Sequence, residues 1–300
     1  MTPISRVRKL GLAALLAPLC LLTGAAPAWS QANPAPVSPF AHIPAPSGVS
    51  PFSSIDRPRV LMRSGAGSQA AEFPRRAMAK VLAELNMPVT FIEDVAFFTP
   101  ENLANFDIVI NSGSVDQITP AEETAVYNFV QNGGSFLGLH NASAGGAVGG
   151  DWEKLIGGRF IKHPPPYMMR VRVTEAGRKH PITRGVETFE VVDEHHFVSY
   201  HVEPAPPGSG PPGRFETSFW TSAPSVLFQS ESVDNTVDPE LPEYRDFTKN
   251  GVTAVIGGWS REIGKGRMVF MAPGHMNEVM QHPMMQKLYA NSMKWLAREN

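Results

Sequence analysis

A histidine, His140, stands where the apolar segment FLGL gives way to the small residues NASAGG. A requirement for packing alone would favour another valine or leucine at that point. Imidazole titrates close to neutrality, so a histidine placed there could take up or deliver a proton, or bind a metal ion. The segment predicts a functional histidine, and the alternative is a structural role in the turn.

Other predicted strand ends also carry polar or small residues. Ligands of open parallel sheets bind outside the carboxyl ends of the strands. We therefore expect a site formed by Ser64-Gly65, Asn111-Ser112-Gly113, His140-Asn141 and Gly274-His275. His275 is a second catalytic candidate, while Asn111 and Asn141 are candidates for substrate binding.

Further candidates each have a structural alternative. His163 precedes three prolines, which restrict its backbone, and it could bind substrate or only shape the turn. Trp259 could stack on the apolar face of a sugar or fill the core. In the segment DEHHF, a strand period of two places Asp193 with His195 on one face and Glu194 with His196 on the other. Only one of these pairs can then face a given cleft.

Two kinds of chemistry follow from these residues. His140, His163 and His275 with one carboxylate could bind Zn²⁺ or another divalent ion and leave one position open. No short H-x-x-x-H spacing supports a metal, so the cofactor stays unknown. Without a metal, Glu194 or Asp193 would form an acid–base pair with His140.

Alternating strands and helices must position these side chains. The segment TPAEETAVYNFVQNGG predicts a helix with a capping box, formed by Thr119 and Glu122, and with Pro120 in its first turn. The neighbouring strands are continuous apolar runs, which are typical of a parallel sheet covered on both faces. The second half is richer in strands. We predict a single α/β domain over residues 58–300.

The N-terminal residues predict export. Residues 1–30 have a basic start, a short apolar run and small residues, as in a signal peptide cleaved between Ala28 and Ser30. Residues 31–57 are rich in proline and predict a disordered tether. Cleavage would remove Cys20, the only cysteine, and leave 23 basic and 28 acidic residues. We expect a secreted or periplasmic protein, not inserted in the membrane after cleavage, that binds no nucleic acid and forms no disulfides.

The turn Gly138-Leu139-His140-Asn141-Ala142 resembles the G-x-C-x-G turn of class I glutamine amidotransferases. That turn presents a nucleophilic cysteine, and His140 takes its place here. Acyl-enzyme chemistry of that kind requires a thiolate. The resemblance therefore implies a shared fold and excludes glutamine amidotransferase activity.

Four segments carry a more specific resemblance. They are GGSFLGLHNAS; DWEKLIGGRFIKHPP, with Trp152, Gly157, Gly158, Phe160, His163 and Pro164; HPITRGVETFEVVDEHHF, with His180, Pro181, Gly185, Asp193 and Glu194; and GWSREIGKGRMVFMAPGHMNE, with Trp259, Gly264, Gly266, Arg267, Gly274 and His275. In this order they resemble the ThuA-like (trehalose utilization) family over most of residues 58–298. Two departures are Ala144, where the family often has Asp, and His196, where an aromatic residue is common.

The family resemblance implies a flavodoxin-like, class I glutamine amidotransferase-like three-layer sandwich, with a mostly parallel central sheet and extra strands in the second half. It also favours Glu194 over Asp193 as the site carboxylate. The function that it implies is an exported enzyme that acts on a small saccharide or oxidised (keto) saccharide by hydrolysis, elimination or isomerisation. The alternative is a non-catalytic carbohydrate-binding protein that uses the same cleft. The oligomeric state stays open.

Overall fold

The computed structural model describes residues 57–65, 71–163, 165–194, 196–200, 225–233 and 254–299. The strands are β1 (Val60–Arg63), β2 (Val89–Ile92), β3 (Ile108–Asn111), β4 (Ser135–Leu139), β5 (Gly158–Lys162), β6 (Tyr167–Val173), β7 (Phe189–Asp193), β8 (Phe197–Tyr200), β9 (Ser225–Ser232), β10 (Ala254–Ile263) and β11 (Gly266–Met271). The helices are α1 (Glu72–Glu84), α2 (Pro100–Leu103), α3 (Pro120–Gln131), α4 (Asp151–Ile156), α5 (Asn277–Gln281) and α6 (Pro283–Leu296). The predicted signal peptide and tether lie outside the described residues, apart from Arg57.

Nine strands form one sheet in the order β2-β1-β3-β4-β11-β10-β9-β6-β7. Neighbours from β2 to β11 run parallel, and each pairing from β11 to β7 is antiparallel. Four successive reversals return β7 to the direction of β11. The carboxyl ends of β4, β11 and β7 therefore point the same way, which sets up the predicted site. Strands β5 and β8 form a separate antiparallel pair.

Each face of the sheet is covered by its own hydrophobic core. Along β1, Val60 and Met62 pack with apolar residues of α1 and α6, whereas Leu61 packs with α3 and α4 on the other face. This alternation follows from the strand period of two, because successive side chains point to opposite faces. The predicted α/β class is confirmed: the central sheet has a parallel half, and the later strands add antiparallel pairings to it.

Helix α3 begins where its sequence predicts. The backbone N–H of Thr119 donates to Glu122 Oε2 at 2.7 Å, and the N–H of Glu122 donates to Thr119 Oγ1 at 3.4 Å. These reciprocal bonds satisfy two donors, the N–H of the N-cap residue and one of the first-turn N–H groups that lack a partner within the helix. Among the described residues, no helix is long and apolar enough to cross a membrane.

The capping box leads to a prediction about stability alone. Thr119→Ala removes the side-chain acceptor and should lower the free energy of unfolding by about 1 kcal/mol. Thr119→Ser keeps the hydroxyl and should remain close to wild type. Urea denaturation of the three proteins measures the difference, and equal midpoints for Thr119→Ala and wild type would contradict the capping role.

Candidate functional site

His140 follows the last residue of β4 and is held in a constrained conformation. Its φ is 46°, in the left-handed region that residues other than glycine seldom adopt. Its side chain is buried, and Nδ1 lies 2.7 Å from the carbonyl oxygen of Ala272, just beyond β11. A carbonyl oxygen only accepts, so Nδ1 carries the hydrogen. The other ring nitrogen, Nε2, is thereby directed away from Ala272 and towards Glu194.

Four histidine side chains surround one carboxylate oxygen. Oε2 of Glu194 lies 3.4 Å from Nε2 of His140, 3.4 Å from Nε2 of His163, 3.3 Å from Nε2 of His196 and 3.3 Å from Nδ1 of His275. The structure thus brings together all four histidine and glutamate candidates from the sequence: His140, His163, Glu194 and His275. It adds His196 to them.

The β5–β8 pair brings His163 and His196 together. Lys162 at the end of β5 pairs with Phe197 at the start of β8, so the next residues outward, His163 and His196, lie side by side. Their rings are stacked with centroids 5.4 Å apart, and the centroids of His196 and His140 are 4.0 Å apart. A small separate sheet therefore supplies one side of the cluster, and the edge of the main sheet supplies the other.

The tightest part of the cluster has the donor set of a metal site. One ligand atom each from His140, Glu194 and His196 lie within 4.8 Å of one another, and all three residues are buried. The sequence favoured His140, His163 and His275 as ligands. In the structure, Glu194 and His196 complete the closest group with His140, while His163 and His275 contact the same carboxylate oxygen from more exposed positions.

Asp193 has a different task from its neighbour Glu194. Its carboxylate accepts hydrogen bonds from the backbone N–H groups of Gly274 at 2.7 Å, His275 at 3.0 Å and Met276 at 2.9 Å. These bonds fix the chain after β11 and so position His275. Of the DEHHF segment, the structure places Glu194 and His196 together at the cluster, as the strand period indicated, whereas Asp193 binds the backbone after β11.

Burial and neighbouring charge set the protonation of the cluster. Burial alone would raise the pKa of Glu194, but contacts with His140 and His196 and the charge of His163 hold it well below its ordinary value. Burial, reinforced by the charge of His140, lowers the pKa of His196 well below its ordinary value. Burial raises the pKa of Asp193, with His140 and the backbone N–H groups opposing the shift. Glu194 is accordingly ionised near neutral pH, and His196 is neutral.

The structure assigns two predicted substrate-binding residues to the interior. Asn111 is buried, accepts from Nη1 of Arg63 at 3.0 Å and donates to the carbonyl of Gly113 at 2.7 Å. These bonds provide an acceptor for a buried guanidinium. Trp259 is fully buried, packs against Phe270 and donates from Nε1 to the carbonyl of Ile156 at 2.8 Å. It offers no open face to a sugar, so both substrate-binding assignments are corrected to structural ones.

Asn141 remains a candidate for substrate binding. It follows His140 directly, and its side-chain amide nitrogen is buried without a hydrogen-bond partner among the described residues. The signal that could have identified His196 was its predicted place on the same strand face as Glu194. The role of Asp193 had no such signal, because its partners lie more than eighty residues away in the sequence.

A substitution at Trp259 separates the core role from the sugar-stacking role. Trp259→Phe loses the hydrogen bond to Ile156 and leaves a small cavity, and we expect the free energy of unfolding to fall by about 1–3 kcal/mol. A sugar-stacking role would instead predict a weaker affinity for a saccharide. Chemical denaturation and calorimetric titration with trehalose and its keto derivative measure the two effects. Unchanged stability with weakened binding would restore the stacking role.

Comparisons with known proteins agree with this architecture. A family model described as "ThuA: Trehalose utilisation" matches residues 59–296. A ThuA-like protein from Parabacteroides merdae has a similar structure, with a TM-score of 0.58, 14% identity, and coverage of 80% of this chain and 90% of that one. A ThuA-like protein from Bacteroides uniformis gives a TM-score of 0.55 and 17% identity, with coverage of 84% and 94%. At these identities the structural likeness shows a shared fold. Comparison with curated proteins found no match.

Proposed function

Because this chain belongs to the ThuA (trehalose utilisation) family, we propose that it is an enzyme of carbohydrate metabolism. Its substrate is a small saccharide or an oxidised (keto) saccharide, and the reaction is hydrolysis, elimination or isomerisation. The observation that carries the proposal is the cluster of four imidazoles around Oε2 of Glu194. All three reactions need a group that removes a proton and another that delivers one.

The exposure of the cluster indicates where a substrate would meet it. The side chains of His140, His196 and Glu194 are 1%, 1% and 6% exposed, whereas those of His163 and His275 are 33% and 19% exposed. A sugar therefore reaches His163 and His275 first, and Glu194 behind them. The more exposed histidines, His163 and His275, remove and deliver the proton, and the ionised carboxylate of Glu194 orients both imidazoles. The apolar ring of Phe160 packs beside two of these imidazoles, with its centroid 5.6 Å from that of His163 and 4.7 Å from that of His196.

Two finer assignments belong to the same proposal. The parallel strand order β2-β1-β3-β4-β11 supports a flavodoxin-like topology, in which ligands bind at the carboxyl ends of the strands. The basic and apolar pattern of residues 1–30 supports export, with the mature protein acting outside the cytoplasm. Mass spectrometry of the protein purified from its native host would give the mature N-terminus. An intact Met1 or a retained Cys20 would overturn export.

A turnover assay tests the enzymatic proposal. The purified protein is incubated with trehalose and with its keto derivative, with and without added divalent ions, and the products are followed by NMR. We expect conversion of one of these sugars by the wild-type protein. Saturable binding without any product would instead support a carbohydrate-binding protein. Absence of both binding and conversion would overturn the proposal for this substrate class.

A further inference from the structure

Oε2 of Glu194 has more nitrogen neighbours than it can accept hydrogen bonds from. A carboxylate oxygen offers about two lone-pair sites, yet four ring nitrogens lie 3.3–3.4 Å away. Hydrogen bonding to this one oxygen therefore cannot explain why all four rings converge on it. A group that several nitrogens and the carboxylate could share would explain the convergence.

The tautomer of His140 also favours a shared group between its Nε2 and the carboxylate. Nδ1 donates to the carbonyl of Ala272, so a neutral His140 turns the lone pair of Nε2 towards the carboxylate oxygen 3.4 Å away. Nε2 is buried and has no hydrogen-bond partner among the described residues. Two facing lone pairs repel each other unless a proton or a metal ion lies between them. Metal-binding histidines commonly donate their other ring N–H to a backbone carbonyl, which fixes the ring in this way.

The spacing of the donors also fits a metal. Tetrahedral zinc sites have metal–ligand bonds of about 2.0–2.2 Å, which place neighbouring ligand atoms about 3.4 Å apart. The nitrogens of His140 and His196 lie 3.4 and 3.3 Å from Oε2 of Glu194. The three donor atoms lie within 4.8 Å of one another, and all three residues are buried.

We infer that His140, His196 and Glu194 bind a divalent first-row transition-metal ion. Imidazole-rich donor sets favour Zn²⁺, Co²⁺, Ni²⁺ or Fe²⁺ over Mg²⁺ and Ca²⁺, which prefer oxygen ligands. Three protein ligands leave a position open to a water molecule or a sugar oxygen. His163 and His275 contact the same carboxylate oxygen from more exposed positions. The inference that a metal ion binds rests on the geometry alone. A role of that ion in polarising a sugar oxygen rests on the proposed function as well.

Metal binding is measured directly on the purified protein. The chain is stripped with a chelator and titrated with Zn²⁺ by calorimetry and with Co²⁺ by visible absorption. We expect one ion per chain and the intense absorption of low-coordinate Co²⁺. His196→Ala and Glu194→Gln should each weaken Zn²⁺ binding by at least about 100-fold, because even partners that only orient a ligand typically contribute 10–100-fold. His140→Asn provides a third variant if either of these fails to fold.

His282→Asn is the matched control. His282 accepts from the N–H of Met284 at 3.2 Å as the N-cap of α6, and asparagine can do the same. This variant removes a histidine outside the cluster and should bind Zn²⁺ like the wild type. A wild-type protein that retains no metal, or folded ligand variants with unchanged affinity, would overturn the site.

The outcomes for the metal site and for the proposed function are separable. Stoichiometric metal binding without turnover of any sugar would overturn the enzymatic proposal and leave the metal site in place. Turnover by a wild-type protein that binds neither Zn²⁺ nor Co²⁺ in the titrations would overturn the metal site and leave the enzymatic proposal in place.

Discussion

Replacing His140 with asparagine should lower turnover by about 10²–10⁴-fold, the usual effect of disabling an acid–base site, while the protein stays folded. Asparagine tolerates the left-handed backbone conformation better than most residues, which suits the φ of 46° at this position. Its amide nitrogen can replace Nδ1 as the donor to the carbonyl of Ala272. Nothing in asparagine reaches the position of Nε2, so the substitution removes the contact with Glu194 and the ring contacts with His196 and His275.

His140→Ala is the informative comparison. It loses the hydrogen bond to Ala272, and alanine adopts positive φ less readily than histidine, so we expect it to be about 1–3 kcal/mol less stable than wild type. Thermal melting and turnover are measured together for the two variants, with saccharide binding in place of turnover if no product forms. A folded His140→Asn protein with wild-type turnover would return His140 to a structural role in the turn.

Local sequence patterns predicted those parts of the fold that form between near neighbours. The capping box of α3 needs only Thr119 and Glu122, and both of its hydrogen bonds are present. The place of His140 was also predictable, because it depends only on where an apolar strand stops. Such features are determined within a few residues, and no tertiary contact has to be known.

The composition of the site depended on contacts that a sequence does not display. Strands β5 and β8 pair antiparallel, so that the end of β5 lies beside the start of β8. This pairing places His163 next to His196. A strand period of two could group Glu194 with His196, but it could not show that both carboxylates of the segment would be used.

The two substrate-binding assignments failed for a related reason. The chemistry of tryptophan suits stacking on a sugar and packing in a core equally well. Its position in the sheet determines which of the two is possible. Trp259 lies on β10, which has neighbours on both sides and helices against it, so the indole is enclosed. Asn111 ends a central strand beside a buried Arg63, whose charge requires acceptors. Neither burial can be inferred from spacing.

Asp193→Asn barely changes the size of the side chain, yet we expect it to be one of the most destabilising such substitutions in the described part of the chain. The carboxylate uses both oxygens, Oδ2 for the N–H of Gly274 and Oδ1 for those of His275 and Met276. An asparagine amide would place an N–H group against one of these donors. A buried donor without an acceptor costs about 1–3 kcal/mol, so we expect a loss of that size in the free energy of unfolding.

The same substitution should also move His275, because two of the three hydrogen bonds hold that residue and the next. A purely structural role would lower stability and leave the folded protein fully active. A positioning role predicts that Asp193→Asn, measured well below its melting temperature, has a reduced kcat with little change in KM. Asp193→Ala should have a still lower stability and a still lower kcat.

Asp107→Asn is the control, since Asp107 accepts the backbone N–H of Arg59 at 2.8 Å but lies at the exposed surface. We expect it to lose less than about 1 kcal/mol, because water can replace the lost acceptor, and to keep its activity. If Asp193→Asn matched Asp107→Asn in both stability and kcat, the buried carboxylate would not be the group that places His275 beside Glu194.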